Sequence, residues 1–174
     1  MNAVDSVTKF VLVHSFVVVR TKKACIEFLS QIKTTCYNQI LTKYYIEKYN
    51  KRKNKRLITF VCDGFENYKS AFNKLFYRVA ELQFGVPIAC NKYNLKYNNN
   101  PVERYNGKIK DRIKTIRGGF DNFNGAKYFM DLRRVIHNFV NPHQELKGKT
   151  PAEKAKINLK LGKKQIVRIG EIFG

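Results

Sequence analysis

Acidic side chains are scarce in this chain. Its 174 residues include 13 Asp and Glu against 34 Lys and Arg, which gives a formal net charge of +21. Such an excess is more than solubility requires, and it destabilises an isolated compact chain by self-repulsion. We expect a polyanionic partner, nucleic acid, rather than a membrane surface, because the basic residues spread over the whole sequence instead of lining one amphipathic helix.

Long apolar runs are also lacking. The longest, residues 10–19, is interrupted by His14 and Ser15, whereas a membrane-spanning helix needs roughly 20 apolar residues. The flanks of this run show no small-residue cleavage signature of a signal peptide. We therefore predict no membrane association and an intracellular, cytoplasmic and nucleoid-associated protein.

Closely spaced cysteines are missing too. Cys25, Cys36, Cys62 and Cys90 lie far apart and form no C-x-x-C pair. Structural zinc sites normally draw their cysteine ligands from such pairs. The spacing therefore favours buried free thiols in a reducing compartment over disulfides or a zinc site.

The remaining composition is that of a folded domain. Hydrophobic residues make up 44% of the chain, and the length suits one buried core. Apolar and β-branched runs predict strands at residues 10–13 and 16–19, with residues 1–4 finishing a further strand. Another short strand is predicted at residues 86–90. These strands, with helices between and after them, indicate a mixed α/β fold with one central sheet flanked by helices.

Helix signals are clear in five segments. An apolar stripe predicts a helix from about Thr21, followed by a second helical stretch around residues 40–46. Helices are also predicted at about 101–117 and 123–140. Near the C-terminus, Thr150 as N-cap, Pro151 at the first position and Glu153 closing a capping box mark another helix start.

Two carboxylates stand out against the positive background. Asp63 closes the apolar run 57–62 and is followed by a glycine that allows a sharp turn, which is where α/β proteins often place functional residues. Glu103 falls in a first helical turn, with Asn100 as N-cap and Pro101 after it. Together the two carboxylates could hold divalent cations for phosphoryl transfer. The structural alternatives are an Asp63 that caps the next helix and a Glu103 that stabilises the helix dipole.

The helix that carries Glu103 has distinct faces. Val102, Tyr105, Ile109, Ile113 and Ile116 recur at spacings of three and four and predict the buried stripe. Cations follow on two flanks, Lys110, Lys114 and Arg117 in line with Glu103, and Arg104, Lys108 and Arg112 on the other. We interpret these six cations as DNA contacts that neutralise backbone phosphates beside the acidic site.

Four segments, in this order, resemble DDE-type insertion-sequence transposases, whose catalytic core has the ribonuclease H-like integrase fold. The resemblance covers nearly the whole chain and is most specific around Glu103. The segments are Arg20 to Leu29, which resembles the start of the first core helix; Val61 to Gly64, with Tyr68 and Ala71; Asn100 to Arg112; and Ile136 to His143, with Leu146 and Thr150-Pro151-Ala152.

The resemblance implies a function and a site. Asp63 and Glu103 would be catalytic carboxylates that bind Mg²⁺ or Mn²⁺ for DNA strand cleavage and strand transfer in DNA transposition. Residues 1–146 would form the catalytic core, and residues 147–174 a basic C-terminal extension with a short helix. The partners would be DNA, at element ends and target, and further copies of the complete chain in a homo-oligomer.

One carboxylate of the family's three is not matched. Asp5 lies at a suitable distance before Asp63, but Ala3-Val4-Asp5-Ser6 resembles the family's second strand, whose Asp is not catalytic. We therefore expect that the first strand and its Asp are missing and that this chain is a truncated copy, inactive alone. The alternative is a non-catalytic basic DNA-binding protein derived from a transposase.

Overall fold

The computed structural model describes residues 1–50, 56–85, 91–92, 94, 97–116 and 119–158. The chain divides into two compact units. The terminal unit comprises Met1–Phe16 with Pro101–Gly174, and the central unit comprises Val17–Asn100. Both contain helices, and each contains one pair of strands, which confirms the predicted mixed α/β class.

The described helices and strands have these bounds. The strands are β1 (Asn2–Val4), β2 (Val11–His14), β3 (Thr59–Cys62) and β4 (Glu81–Phe84). The α-helices are α1 (Lys22–Tyr49), α2 (Glu66–Phe76), α3 (Asn100–Lys114), α4 (Phe123–Val135) and α5 (Pro151–Lys154). Helix α4 continues directly into a π-helix (Ile136–Val140), and a short 3₁₀ helix (Gln144–Leu146) follows.

The terminal unit begins with an antiparallel pair. Strand β1 pairs with β2 in the register Asn2 to His14, which confirms that residues 1–4 form a strand. The turn between them is closed by Asp5, whose Oδ1 accepts hydrogen bonds from the Thr8 backbone N–H at 2.6 Å and the Thr8 hydroxyl at 2.7 Å. The Asp5 carboxylate is thus committed to the turn.

Helix α3 packs against this pair through its apolar face. Tyr105 and Ile109 are buried and form one cluster with Val11 of β2, against which Val4, Ile113, Phe129 and Met130 also pack. The buried stripe predicted for this helix is therefore confirmed, since its two central members carry the contact. Burying this stripe leaves the charged flanks of α3 in solvent.

The π-helix fixes the other side of the β1–β2 pair. Asn138 is 2% exposed. Its Oδ1 accepts a hydrogen bond from Val11 N at 2.9 Å, and its Nδ2 donates to Val11 O at 3.0 Å. Next to it, His137 Nε2 donates to the carbonyl of Lys9 at 2.9 Å, where the backbone has a left-handed φ of 61°. These two side chains clamp β2 to the helix and satisfy backbone groups that would otherwise be buried unpaired.

Helix α5 begins as its sequence predicts. The Thr150 hydroxyl accepts from Glu153 N at 3.2 Å, and Glu153 Oε2 accepts from Thr150 N at 2.8 Å. Both halves of the capping box are present, with Pro151 in the first turn. This confirms the predicted helix start.

The central unit is built on a parallel pair and aromatic packing. Strand β3 pairs with β4 from Thr59 with Glu81 to Cys62 with Phe84. Phe60 packs on Phe72 and Phe76 of α2, with ring centroids 5.3 and 4.9 Å apart. Helix α1 starts at the Thr21 N-cap, as predicted, and covers α2. Burial of large rings, rather than polar contacts, dominates this core.

Several expectations differ from the structure. Residues 16–19 form no strand, and Val18 is 87% exposed, because β-branching favours a strand only where a partner and a buried face are present. The two helical stretches between 21 and 49 are one helix with a break at Cys36. The described strands form two separate pairs, and the strand predicted at 86–90 lies outside the described residues.

The described cysteines are free thiols. Cys25 is buried, and Cys36 and Cys62 are partly buried. Burial raises the pKa of each thiol, that of Cys62 to about 12. These thiols therefore stay protonated at neutral pH and pack as core side chains.

Candidate metal and nucleic-acid site

Asp63 lies just beyond the carboxyl end of β3 in the central unit. Its Oδ2 accepts a hydrogen bond from Arg20 Nη1 at 2.7 Å, and the Arg20 guanidinium also lies 4.6 Å from the centroid of the Phe65 ring. Asp63 Oδ1 is buried and accepts no hydrogen bond from any residue that the structure describes. Helix α2 starts after Phe65 without a side-chain cap, so the alternative that Asp63 caps this helix is wrong.

Two of the groups around Asp63 are kept neutral, and the third, Arg20, is kept charged. Burial, with smaller contributions from Cys25 and Asp63, raises the pKa of Tyr68 to about 12. Burial and Asp63 raise the pKa of Cys62 in the same way. The hydrogen bond to Asp63 raises the pKa of Arg20. Asp63 therefore supplies the negative charge at this end of β3, and Arg20 balances it.

Glu103 lies in the first turn of α3 in the terminal unit, as predicted, and is exposed. The helix starts slightly earlier than expected. Asn100 is already helical, and its N–H donates to Asn98 Oδ1 at 3.1 Å. The predicted N-cap at Asn100 is therefore wrong by a residue or two, because Asn98 offers the side-chain acceptor.

Exposed cations follow Glu103 along α3. Arg104 pairs with Glu145, and Lys114 Nζ lies 3.4 Å from Asp111 Oδ1. Lys110 and Arg112 have no ion-pair partner among the residues that the structure describes. All five described members of the predicted DNA-binding set are exposed, namely Arg104, Lys108, Lys110, Arg112 and Lys114; the sixth, Arg117, lies outside the described residues.

Asp63 has one feature that favours cation binding and one that opposes it. The unpartnered Oδ1 of Asp63 suits a hard cation such as Mg²⁺, which takes oxygen ligands, while the Arg20 contact opposes it. Asp63 belongs to the central unit and Glu103 to the terminal unit. Within the described ranges, no group of three or more His, Cys, Asp or Glu side chains is placed to hold a metal ion.

Sequence reasoning missed three features that shape these surfaces. Arg20 falls in a segment that carries the family resemblance, but its contact with Asp63 spans 43 positions and has no local signal. The same holds for Asn138, which bonds residue 11 across 127 positions. The pattern of α3 places Tyr105 in the buried stripe, but it gives no sign that the buried hydroxyl has no hydrogen-bond partner.

Comparisons with protein-family models, curated proteins and solved structures found no match to this chain. Across the part of the chain that the structure describes, no helix combines the length and apolar character needed to cross a bilayer. The similarity to DDE-type transposases therefore stays a prediction from the sequence motifs, and the functional argument depends on the contacts and charges described above.

Proposed function

We propose that this chain belongs to the catalytic core of a DDE-type transposase with a ribonuclease H-like fold. Such an enzyme cleaves and joins DNA strands with the help of a divalent cation. The observation that carries the proposal is helix α3. It presents a carboxylate in its first turn and five exposed cations after it, while Tyr105 and Ile109 fix the opposite face in the core.

The spacing of these cations suits a DNA backbone. From Arg104 to Arg112, α3 rises by about 12 Å, which corresponds to roughly three to four base steps at 3.4 Å per step. Arg104, Lys108 and Arg112 lie along this distance on one flank. Each phosphate neutralised by such a cation releases condensed counterions, which drives binding and makes it sensitive to salt.

By the family resemblance, Asp63 and Glu103 are acidic ligands of a divalent cation. Within the central unit, Asp63 offers its unpartnered Oδ1. Within the terminal unit, Glu103 offers an exposed carboxylate in the first turn of α3. A bound Mg²⁺ or Mn²⁺ supplies activation of the attacking oxygen and stabilisation of the leaving oxygen. Arg20 keeps the Asp63 carboxylate oriented through Oδ2, and the cations of α3 neutralise the phosphates on either side of the cut.

The first acidic ligand is proposed to come from a strand that precedes the second-strand-like segment Ala3-Val4-Asp5-Ser6. The use of Asp5 supports this, because its Oδ1 already accepts hydrogen bonds from Val7 N, Thr8 N and the Thr8 hydroxyl. Recruiting Asp5 to a metal would open the β1–β2 turn.

The strand pairs are compatible with the proposed fold. Mixed sheets contain both antiparallel and parallel pairs, and the structure has one of each, antiparallel β1–β2 and parallel β3–β4, among its described residues.

A second candidate function is DNA binding without catalysis. The Arg20–Asp63 ion pair favours it, because a guanidinium at 2.7 Å already neutralises the carboxylate. Such a protein would keep the cations of α3 and would bind DNA equally well with or without a divalent cation. Strand cleavage therefore separates the two functions, whereas DNA binding does not.

The test is a cleavage and strand-transfer assay in Mg²⁺ or Mn²⁺. We expect the 174-residue chain to bind DNA but not to cut it, so that Asp63→Asn and Glu103→Gln change nothing in this assay. Addition of the upstream segment should give cleavage, and either substitution should then abolish it. An extended chain that binds but never cleaves would support the non-catalytic function. Cleavage by the 174-residue chain that disappears in Asp5→Asn would make Asp5 the first ligand.

A further inference from the structure

A small, partly open pocket lies within the terminal unit, where α3, α4 and the segment after the π-helix meet. Its polar lining consists of Tyr105, Lys108, Arg133, His137, Asn141 and His143, and none of the described residues that line it is acidic. The three rings are close together, with centroids 4.9 Å apart for Tyr105 and His137 and 6.1 Å apart for His137 and His143. The pocket is therefore a compact group of hydrogen-bond donors and cations.

Two polar atoms of this lining are buried and unpartnered. Tyr105 is 4% exposed, and neither its hydroxyl nor His143 Nδ1 makes a hydrogen bond in the structure. Leaving a buried polar group unsatisfied costs about 1 to 3 kcal/mol. Such atoms in a pocket wall indicate that a bound group completes their hydrogen bonding.

The charge of the pocket identifies the kind of group. Arg133 is half-buried and forms no ion pair with any described residue; burial and the neighbouring Arg112 lower its pKa. Burial also lowers the pKa of His137 and of His143, and Lys108 adds to both effects. Burial is the larger cause of these shifts and the neighbouring cations are the smaller one, so an anion in the pocket would offset the contribution of the like charges.

We propose that this pocket binds a single phosphate group, with Arg133 and Lys108 as its charge partners and the Tyr105 hydroxyl as a neutral donor. A tetrahedral oxyanion offers acceptors to all three donors, and the small pocket suits such a group rather than a base. Free phosphate and a backbone phosphate of DNA share this chemistry. Where DNA supplies the phosphate, the inference depends on the proposed function and extends its interface from Lys108 on α3 to Arg133 on α4.

The experiment is a titration of the full chain with inorganic phosphate, with chloride at equal ionic strength as reference, followed by NMR of the histidine rings. The chain has three histidines. His137 and His143 line the pocket, while His14 is bound to Asp131 and serves as the internal reference. We expect phosphate to shift the signals of His137 and His143 and to leave that of His14 unchanged.

Substitutions sharpen this test. Arg133→Gln should weaken phosphate binding by about tenfold or more, because it removes a charged hydrogen bond. Tyr105→Phe keeps the ring and should weaken binding by severalfold. Lys108→Gln changes an exposed side chain, so it tests the pocket even if Arg133→Gln does not fold. Lys127→Gln, which removes one charge from an exposed position on α4, should leave binding unchanged.

The same titration with a short DNA duplex separates the sources of the phosphate. Shifts with both ligands indicate a backbone phosphate, and shifts with inorganic phosphate alone indicate free phosphate; both outcomes support the pocket. The absence of shifts at His137 and His143 with both ligands would overturn the pocket, and DNA binding by the same protein would then leave the proposed function intact. Phosphate affinity that is equal in the wild type, Arg133→Gln and Lys108→Gln would overturn it as well.

Discussion

The two units stabilise their strand pairs by different means. In the central unit, Phe60, Phe72 and Phe76 stack under the parallel pair β3–β4, so burial of aromatic surface dominates. In the terminal unit, Asn138 and His137 hold β2 and the turn before it through buried hydrogen bonds. The packing of the central unit depends on the volume of its side chains and tolerates polar substitutions poorly. The terminal unit depends instead on which side chains can donate and accept hydrogen bonds.

The two candidate site carboxylates also have different surroundings. Asp63 of the central unit is held by a cation, Arg20. Glu103 of the terminal unit is exposed at the head of a row of cations. The comparison teaches that a positively charged protein can place a carboxylate against a single guanidinium or at the exposed head of a row of cations. Each arrangement can be altered separately.

The largest effect is expected at Asn138. Asn138→Ala leaves Val11 N and Val11 O without partners, and two unsatisfied buried groups cost about 2 to 4 kcal/mol of unfolding free energy. Asn138→Asp should also destabilise the fold, because a carboxylate cannot donate to Val11 O. Urea unfolding measures both, and faster hydrogen exchange at the Val11 amide should report the change locally.

The matched control for Asn138 is Asn124→Ala. Asn124 lies exposed on α4, where alanine is the better helix former, so we expect unfolding free energy to stay equal or rise slightly. If Asn138→Ala were as stable as this control, the polar clamp would not be what holds the terminal unit.

The central unit should be sensitive to volume at Gly85. A Cβ there would lie 2.2 Å from Val61 Cγ1 and 3.1 Å from the Tyr97 carbonyl oxygen. Gly85→Ala should therefore reduce unfolding free energy by about 1 to 3 kcal/mol through overpacking. Gly64→Ala is the control, since nothing lies within 4 Å of its Cβ position. Equal stability of the two variants would show that β4 is not packed as described.

The restraint on Asp63 can be removed by Arg20→Gln. The pair is partly exposed, and exposed ion pairs contribute about 1 kcal/mol or less, so Mn²⁺ affinity should rise by no more than about fivefold. Paramagnetic broadening of the Asp63 and Gly64 amide signals measures it. Lys23→Gln, at an exposed position in the first turn of α1, is the charge control. Unchanged broadening in Arg20→Gln would remove Arg20 as a competitor for the cation.

The smallest effect concerns pH and belongs to the terminal unit. Burial lowers the pKa of His137 below its ordinary value of 6.5, so the unfolded chain binds the proton more tightly than the folded one. The contribution of neutral His137 to the free energy of unfolding is therefore complete above about pH 6.5, and it is lost as pH falls through the lowered pKa of the folded state. Urea midpoints should therefore decrease on acidification below about pH 7.

His137→Gln tests the source of this pH dependence. The variant should be less stable at neutral pH, because it loses the imidazole that bonds Lys9, yet its midpoint should change less steeply with pH. His14 and His143 also have lowered pKa values, so some slope should remain. For His14, burial and Arg134 outweigh the opposing effect of Asp131 on the pKa; Asp131 Oδ1 lies 3.2 Å from His14 Nε2. If the urea midpoint of His137→Gln changed with pH as steeply as that of the wild type, His137 would be excluded as a source of the pH dependence.

Local patterns predicted much of this fold. The spacing from Val102 to Ile116 predicted the buried face of α3, and Thr150 with Glu153 predicted the capping box of α5, because both depend on neighbours within a few residues. Strand β4 had no such signal, since its four residues form a strand only by pairing with β3. Residues 16–19 show the converse, because their strand-like composition has no partner strand in the described structure.

Candidate site residues divide in the same way. Glu103 and the cations of α3 were predictable from the periodicity of one helix. The partner of Asp63, the turn role of Asp5 and the clamp at Asn138 were not, because each depends on geometry or on contacts between distant parts of the sequence. The first acidic ligand, which matches no residue of this chain, also stays a prediction of the family resemblance.

The most direct test of the DNA interface proposed on α3 is the salt dependence of DNA binding by the wild type and two triple variants. The α3 variant replaces three exposed cations of α3, Lys110, Arg112 and Lys114, each by Gln. The α1 variant removes the same charge by replacing three exposed residues of α1, Lys22, Lys23 and Lys48, each by Gln. We predict that the slope of log K against log salt shrinks by about 0.9 for each phosphate that the α3 variant no longer neutralises and is preserved in the α1 variant. A flat salt response of the wild type, or an equal reduction of the slope in both variants, would contradict a DNA interface on α3.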